Sequence, residues 1–541
     1  MRPPDPRPPF PRQTTWKTAA VLLLAGLGFL WPVGAGAEPG DLDPTFSGDG
    51  RVVTEFLPSR EHTARAVVLQ PDGRIVVAGD AFWPDTGFDF TLVRYLSDGS
   101  LDPSFGVGGV ARAHFYGADR AMDLVLQPDG KIVAVGQTAL PGDSPNFALA
   151  RFNPDGSLDA GFGNGGRVVT EIMGATSWLE GVALRPDGKI LVGGSIYRGN
   201  SDLALAQYNP DGSLDTTFGN GGWLVLEITG AHEQPTDMVL QPDGKIVLVG
   251  FVFRGTGEAD SLLVRFLADG NLDSAFGNGG HVIPDLPGAD RLMAVTLQPD
   301  GKIVATGFSP EGGTWRSILL RLVATGAPDP GFGAGGVVFG PLWRGEAVAV
   351  QPNGKIVVAG NALTGAGFQF ALARYLEDGS LDLEFGEGGW VATAFSSSQS
   401  GEALGVALQR DGKIVAVGRG ATDASTLTYV VARYLGDEVE EEGLCLQHEG
   451  CAPTLRLDPR TGAYRFSDSG SGLVLEAVGT VRGDGCTVHL KDHGPGKKKP
   501  ERILNAVIDT CAGTGHATLR ISASKKNYKI RDRNIANSVC D

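Results

Sequence analysis

The chain has 541 residues, 42% hydrophobic and 20% charged, a composition that excludes intrinsic disorder. Its formal net charge of −16 excludes the basic footprint that a nucleic-acid binder needs. Glycine is the anomaly: 80 residues, about twice the usual ~7% and without a G-X-Y period, which points to many turns at regular spacing.

At the start of the chain, Arg2, Arg7, Arg12 and Lys17 flank an apolar run from Ala19 to Val33, followed by Gly34-Ala35-Gly36-Ala37. A charged segment, an apolar stretch too short to span a bilayer and an A-x-A pattern read as an export signal over residues 1–37, cleaved after Ala37. The expected location is secreted, periplasmic or cell-surface, with no transmembrane span.

From residue 38 to 436 one phrase recurs, first as Leu69-Gln70-Pro71-Asp72-Gly73-Arg74-Ile75-Val76-Val77-Ala78-Gly79. Its turn glycine returns as Gly130, Gly188, Gly244, Gly301, Gly354 and Gly412, at intervals of 53 to 58 residues. The second copy shows the unit. Ala121–Leu126 is strand a, and Gln127-Pro128-Asp129-Gly130 makes a tight turn into strand b, Lys131–Gly136. Strand c is Phe147–Phe152. A second constant turn, Asn153 to Asp159, leads past Phe162 and Gly165-Gly166 into strand d, Arg167–Ile172. Four antiparallel strands per unit with no helical periodicity is the pattern of propeller blades.

The phase of the repeat predicts how the ring closes. The first unit is preceded by a turn, Leu42-Asp43-Pro44-Thr45-Phe46, and a d strand, Arg51–Phe56, whereas the last unit stops after a c strand, Tyr429–Leu435. The fold expected is all-β: a seven-bladed β-propeller whose last blade takes its d strand from the N-terminus. An open solenoid would leave three strands at one end and a stray strand at the other.

Leu126-Gln127-Pro128-Asp129-Gly130-Lys131-Ile132-Val133 and Ser157-Leu158-Asp159 with Phe162-Gly163 and Gly165-Gly166 resemble the delta-60 repeat family over about residues 42–436. The resemblance implies a propeller-like β fold in an exported bacterial protein and no established reaction.

Some positions stay constant among the units. An Asp recurs as Asp43, Asp102, Asp159, Asp215, Asp273, Asp329 and Asp382, each followed three residues later by Phe. Arg ends strand c as Arg94, Arg151, Arg265, Arg321, Arg374 and Arg433, with Gln207 in the remaining unit. A calcium loop is one reading of Asn153-x-Asp155-Gly156-x-x-Asp159, but Arg151 stands where the first carboxylate belongs. The structural reading expects Arg and Asp to pair in six blades while Phe fills the gap between blades.

Variation concentrates in the b–c loops and d-to-a connections, which share one rim of the disc. Trp83, Tyr116, Trp178, Tyr197, Arg198, Phe253, Arg254, Trp315, Arg316, Trp343 and Arg344 fall there. Aromatic and Arg side chains anchor binding surfaces, or each ring covers the end of its own blade. Ser309 to Trp315 has only a partial likeness to the Asp-box of sialidases. His62, His114, His232 and His281 match no metal spacing. No catalytic residue, metal or cofactor is expected.

Residues 437–442 form an acidic linker. Residues 443–541 carry 15 Lys+Arg against 10 Asp+Glu, whereas residues 38–442 carry 27 against 51. All five cysteines, Cys445, Cys451, Cys486, Cys511 and Cys540, lie in this last segment, which reads as a small disulfide-stapled β-sandwich of open connectivity. Its strand-like runs end with Tyr528–Arg531, and its Lys497-Lys498-Lys499 cluster is a solvated loop or a contact for anionic polymer.

Two functions remain open. The first is a binding or structural protein whose variable rim meets a glycan or an envelope protein. The second is a lyase- or glycosidase-like enzyme with its site at the channel mouth.

Overall fold

The structure is a computed structural model that describes residues 37–437 apart from 57–59, 140–143, 254–257, 397–399 and 422–426, and the backbone of seven strands between residues 453 and 536. Among the described residues every regular element is a strand, and no helix is long and apolar enough to cross a membrane.

Turn chemistry builds each blade. At the a–b turn of blade two, Gly130 has a φ of 82° and its N–H donates to the Gln127 carbonyl at 2.9 Å. Strands a and b there are Arg120–Leu126 and Ile132–Thr138; c and d are Asn146–Phe152 and Arg167–Thr170. All pairings are antiparallel, in the order a-b-c-d. The other blades repeat this plan, giving seven four-stranded sheets. Each a strand contacts the a strand of the next blade, and the last, Gly401–Leu408, contacts the first, Thr63–Leu69. The a strands therefore line the axis of a closed ring.

The junction that closes the ring is a β ladder. Arg51–Thr54 pairs antiparallel with Leu427–Tyr434, with Arg51 opposite Ala432 and Thr54 opposite Tyr429. Asp43 N–H donates to the Arg433 carbonyl at 2.8 Å, extending the junction. Sequence-distant ends thus share one sheet, and no blade keeps an open edge at the seam.

Every a strand carries a bulge at one register position, at Arg65, Met122, Glu180, Thr236, Met293, Glu346 and Leu404. Facing it on strand b is always a glycine: Gly79, Gly136, Gly194, Gly250, Gly307, Gly360 or Gly418. A Cβ on any of these would fall 1.9–2.0 Å from a carbonyl oxygen of strand a. The bulge drives that carbonyl inward, and only glycine leaves it room.

The far ends of the blades carry a repeated staple. In six blades the Arg Nε donates to the Asp Oδ2 eight residues on, or to Asp43 from Arg433, at 2.7–2.8 Å. Each guanidinium lies 4.3–4.7 Å over the Phe three residues beyond that Asp. In five of the six, Nη1 reaches a carbonyl of the following blade, as Arg151 reaches Pro210. Arg374 instead donates through Nη2 to Asp437, the first residue of the acidic linker, at 2.8 Å. The same Asp also meets the cation after the a–b turn, Arg74 or the equivalent Lys, at 2.9–3.6 Å in all seven blades. In blade three Gln207 donates to Asp215 at 2.6 Å in place of Arg. One residue set thus ties c to d, a–b turn to c–d turn, and blade to blade.

Beyond the propeller, Pro453–Asp458, Ala463–Asp468 and Leu473–Val478 make a three-stranded antiparallel sheet. Thr487–Leu490, Leu504–Asp509, His516–Ala523 and Arg533–Ala536 make a four-stranded one. The export segment, the five cysteines, the Lys497 cluster and the run Tyr528–Arg531 lie outside the described residues.

Candidate functional site

At the bulge, backbone geometry is fixed while side chains differ from blade to blade. Two residues before each bulge stand Thr63, Arg120, Trp178, Gln234, Arg291, Arg344 and Glu402. Opposite them on strand b are Asp80, Gln137, Ser195, Phe251, Phe308, Asn361 and Arg419. These seven pairs encircle the channel mouth on the variable rim.

Between blades six and seven the pairs open into a cleft of about 250 Å³. Trp343 and Phe368 form one side, with ring centroids 5.4 Å apart in an edge-to-face arrangement. On the other side Arg419 donates to Glu402 through Nε at 3.1 Å and Nη2 at 2.8 Å. Asn361 Nδ2 donates to Glu402 Oε1 at 3.1 Å. Asn361 is 8% exposed, and its Oδ1, among the described residues, accepts no hydrogen bond. Nearby on strand a, Glu346 is pushed up to about 8 by burial and by the charge of Glu402, against the pull of Arg344 and Arg419.

A second cluster lies on the rim between blades one and two. His114 Nδ1 is 3.0 Å from Asp89 Oδ1 and 3.4 Å from Asp119 Oδ2, and one ligand atom from each residue lies within 4.8 Å of the others. Both carboxylates are fully buried and raised by desolvation, although hydrogen bonds oppose the shift. Asp89 accepts from Thr86 at 2.7 Å; Asp119 accepts from Thr138 at 2.5 Å and from Phe115 N–H at 2.8 Å. These are donor types that hold a divalent cation, yet each is already engaged by protein. The expectation that no histidine matches a metal set overlooked this arrangement, because spacing along the chain does not show which residues a blade corner gathers.

The aromatic and Arg residues singled out from the sequence divide into two groups. Phe253, Trp315, Arg316, Trp343 and Arg344 fall on blades four to six. Trp315 packs edge-to-face on Phe308 at 5.4 Å, and the Arg344 guanidinium lies 4.5 Å over that same Phe308. Arg291 covers Phe251 at 4.5 Å and Phe253 at 5.5 Å. Arg316 donates to Gly340 O at 3.0 Å and pairs with Glu311 across a tight hairpin through Gly312 and Gly313, so the Ser309–Trp315 run is a two-residue turn. The others stand apart. Trp83 donates to Thr91 and packs on Phe56, Tyr197 stacks on His232 at 6.4 Å, and Arg198 pairs with Asp202 at 3.0 Å. Trp178 is half-buried on strand a, Tyr116 is exposed, and Arg254 lies outside the described residues. Asn361, Phe368, Glu402 and Arg419 were missed by the sequence reading. For Asn361 and Arg419 the signal was the variable residue after each invariant strand-b glycine; Phe368 and Glu402 had none.

The turn carboxylates considered for calcium are consumed locally. Asp155 accepts from Ser157 N–H and Oγ at 2.9 and 2.6 Å, and Asp159 pairs with Arg151 and Lys131.

The model of a domain of unknown function (DUF5122) beta-propeller matches residues 70–105, 127–162, 185–218, 241–276, 298–332 and 351–385. The chain is a β-propeller repeat protein. Each match of the repeat family runs from an a–b turn to the staple Phe, and the seventh such unit is divided between Gln409–Leu435 and Leu42–Phe46. No curated protein matches the chain. Among solved structures the propeller is similar to a Dyadobacter fermentans protein of unknown function, at 10% identity and a TM-score of 0.37, covering 72% of this chain and 98% of that one. It is also similar to the polysaccharide lyase Uly1, at 9% identity, TM-score 0.39, covering 71% and 91%. A third is a puromycin hydrolase, at 16% identity, TM-score 0.41, covering 87% and 61%. None of these names carries over to the present chain at such identities.

Proposed function

We propose that this chain is an exported propeller of the delta-60 kind that binds a saccharide in the cleft between blades six and seven. The lining of the cleft carries the reading: an aromatic side faces a hydrogen-bonded polar one. Trp343 and Phe368 offer apolar faces to a sugar ring, while Glu402 and Arg419 offer an acceptor and donors for its hydroxyls, the mix of apolar wall and few polar groups that small-molecule sites use. Binding of the full-length chain to a glycan array, followed by titration of the best saccharide, tests it. Trp343→Ala and Asn361→Leu should each weaken binding by about tenfold or more. Absence of binding to any saccharide would overturn the proposal.

A second reading is favoured by one observation. Burial and the charge of Glu402 push Glu346 up to about 8 while Glu402 is paired with Arg419, and two carboxyl groups set apart in this way are the usual equipment of glycoside cleavage. Release of shorter saccharides by the wild type but not by Glu346→Gln would establish it.

A further inference from the structure

We infer that the saccharide taken by this cleft is acidic, with a uronate carboxylate held by Arg344 and favoured by the charge of Arg291 beside it. The inference rests on the saccharide reading above and adds the ligand's charge. Arg291 and Arg344 occupy the same position on strand a of blades five and six. They are near neighbours around one ring: Phe308 is the cross-strand partner of Arg291 and lies beneath the Arg344 guanidinium. Arg344 also lines the cleft beside Trp343 and Asn361.

Neither guanidinium is neutralised. Among the described residues, no carboxylate oxygen forms a salt bridge with Arg291 or Arg344, and both rest on aromatic faces instead. The contrast with the rest of the molecule is sharp, since each of the six strand-c arginines sits against an Asp. Glu346, two positions along the same strand, is pushed up to about 8 by burial and the charge of Glu402, so it offers Arg344 little counter-charge. Burial and the charge of Arg344 together weaken the hold of Arg291 on its proton. Two like charges side by side, in a segment with 51 acidic residues available for pairing, are an arrangement that costs stability. An anion held by Arg344 lessens that cost.

The chemistry selects a carboxylate on a sugar. Guanidinium groups bind planar carboxylates through two parallel N–H donors. With its acid group at Arg344, a uronate's ring lies toward Trp343 and Phe368, and its hydroxyls meet Glu402 and Arg419. A neutral sugar meets the same aromatic and polar sides and leaves Arg344 bare.

The test is calorimetric titration of the full-length chain with matched oligosaccharides: oligogalacturonate against its methyl ester, and cellouronate against cello-oligosaccharide. In at least one pair the acid should bind about 10- to 100-fold tighter than its neutral partner. The difference should shrink as salt rises. Arg344→Met should bring the acid toward the affinity of the neutral form, and Arg291→Met should do so to a smaller extent. Arg344→Lys and Arg291→Lys, which keep charge and stem, should give intermediate losses and guard against a folding defect. Equal binding of acid and ester would overturn the inference while leaving saccharide binding in place. No binding by either member of any pair would remove both. Binding only of a sulfated oligosaccharide added as a third probe would also overturn the carboxylate assignment.

Discussion

Asp159→Ala tests the staple at the point where it joins most partners. Asp159 Oδ2 accepts from Arg151 Nε at 2.7 Å and lies 3.1 Å from Lys131 Nζ, while Oδ1 accepts from Gly161 N–H at 3.1 Å. The Arg151 and Asp159 side chains are only 8% and 13% exposed. Removing the carboxylate leaves a buried guanidinium with its Pro210 and Phe162 contacts but no counter-ion, which costs about 3–5 kcal/mol. An unfolding entropy of ~2.1 cal/mol/K per residue over about 400 residues makes each kcal/mol worth ~1.2 °C, so Tm should fall by about 4–6 °C. Asp129→Ala, whose carboxylate is 58% exposed and 3.7 Å from the same Lys131, is the control and should cost under about 1 kcal/mol. Arg151→Gln should cost less than half as much as Asp159→Ala, because blade three already runs with Gln207 on Asp215. Although burial alone would raise Asp159, its hydrogen bonds and Arg151 hold it below the ordinary carboxylate range. Its stabilisation is therefore present above that range and lost as pH falls through the folded value, so the gap between wild type and variant should close in acid. Equal melting shifts for Asp159→Ala and Asp129→Ala at neutral pH would refute the reasoning.

The strand-b glycines and the channel carboxyl groups give two further tests. Gly136→Ala places a methyl 2.0 Å from the Arg120 carbonyl and should lower Tm more than Gly165→Ala, where a Cβ meets nothing within 4 Å; thermal melts of the pair decide it. Glu346 is raised from 4.5 to about 8, so its contribution is complete below the unfolded value and lost as pH rises through the folded one. At ~1.4 kcal/mol per pH unit, a third of that displacement is about 1.5 kcal/mol, and the Tm of Glu346→Gln minus that of wild type should grow by about 2 °C between pH 5 and 9.

Much of the scaffold could be read before any coordinates, for physical reasons specific to it. The Gln-Pro-Asp-Gly turns state their backbone angles in their residues, and a d strand before the first a strand states which ends must meet. The ladder from Arg51 to Thr54 against Tyr429 to Ala432 follows from that phase alone. What escaped was anything set by register across blades. The bulge carries Arg, Met, Glu, Thr or Leu, so no residue announces it; only its partner glycine is constant. Asn361 and Glu402 are 41 residues apart, and His114 is 25 from Asp89, distances at which a single sequence gives no pairing signal. Exposed-looking tryptophans were easier to notice than an asparagine, although Trp83 proved to be tied down by Thr91 and Phe56.

The bulge explains why variation and rigidity coexist at this rim. The residue two positions before it serves the scaffold through its carbonyl, which presses on the facing glycine in all seven blades. That demand is on the backbone, and Thr63, Arg120, Trp178, Gln234 and Glu402 meet it equally. Their side chains, released from any packing duty common to the blades, can change without moving the strand beneath them. Each blade therefore contributes one interchangeable pair at a fixed place, and neighbouring pairs compose a cleft. Blades six and seven bring together an amide, a carboxylate and two guanidinium groups. Blades four and five present Gln234, Phe251, Arg291 and Phe308, where guanidinium groups rest on the phenyl faces. Chemistry at this rim is thus set by which pairs adjoin, while the glycine opposite each bulge holds their spacing constant.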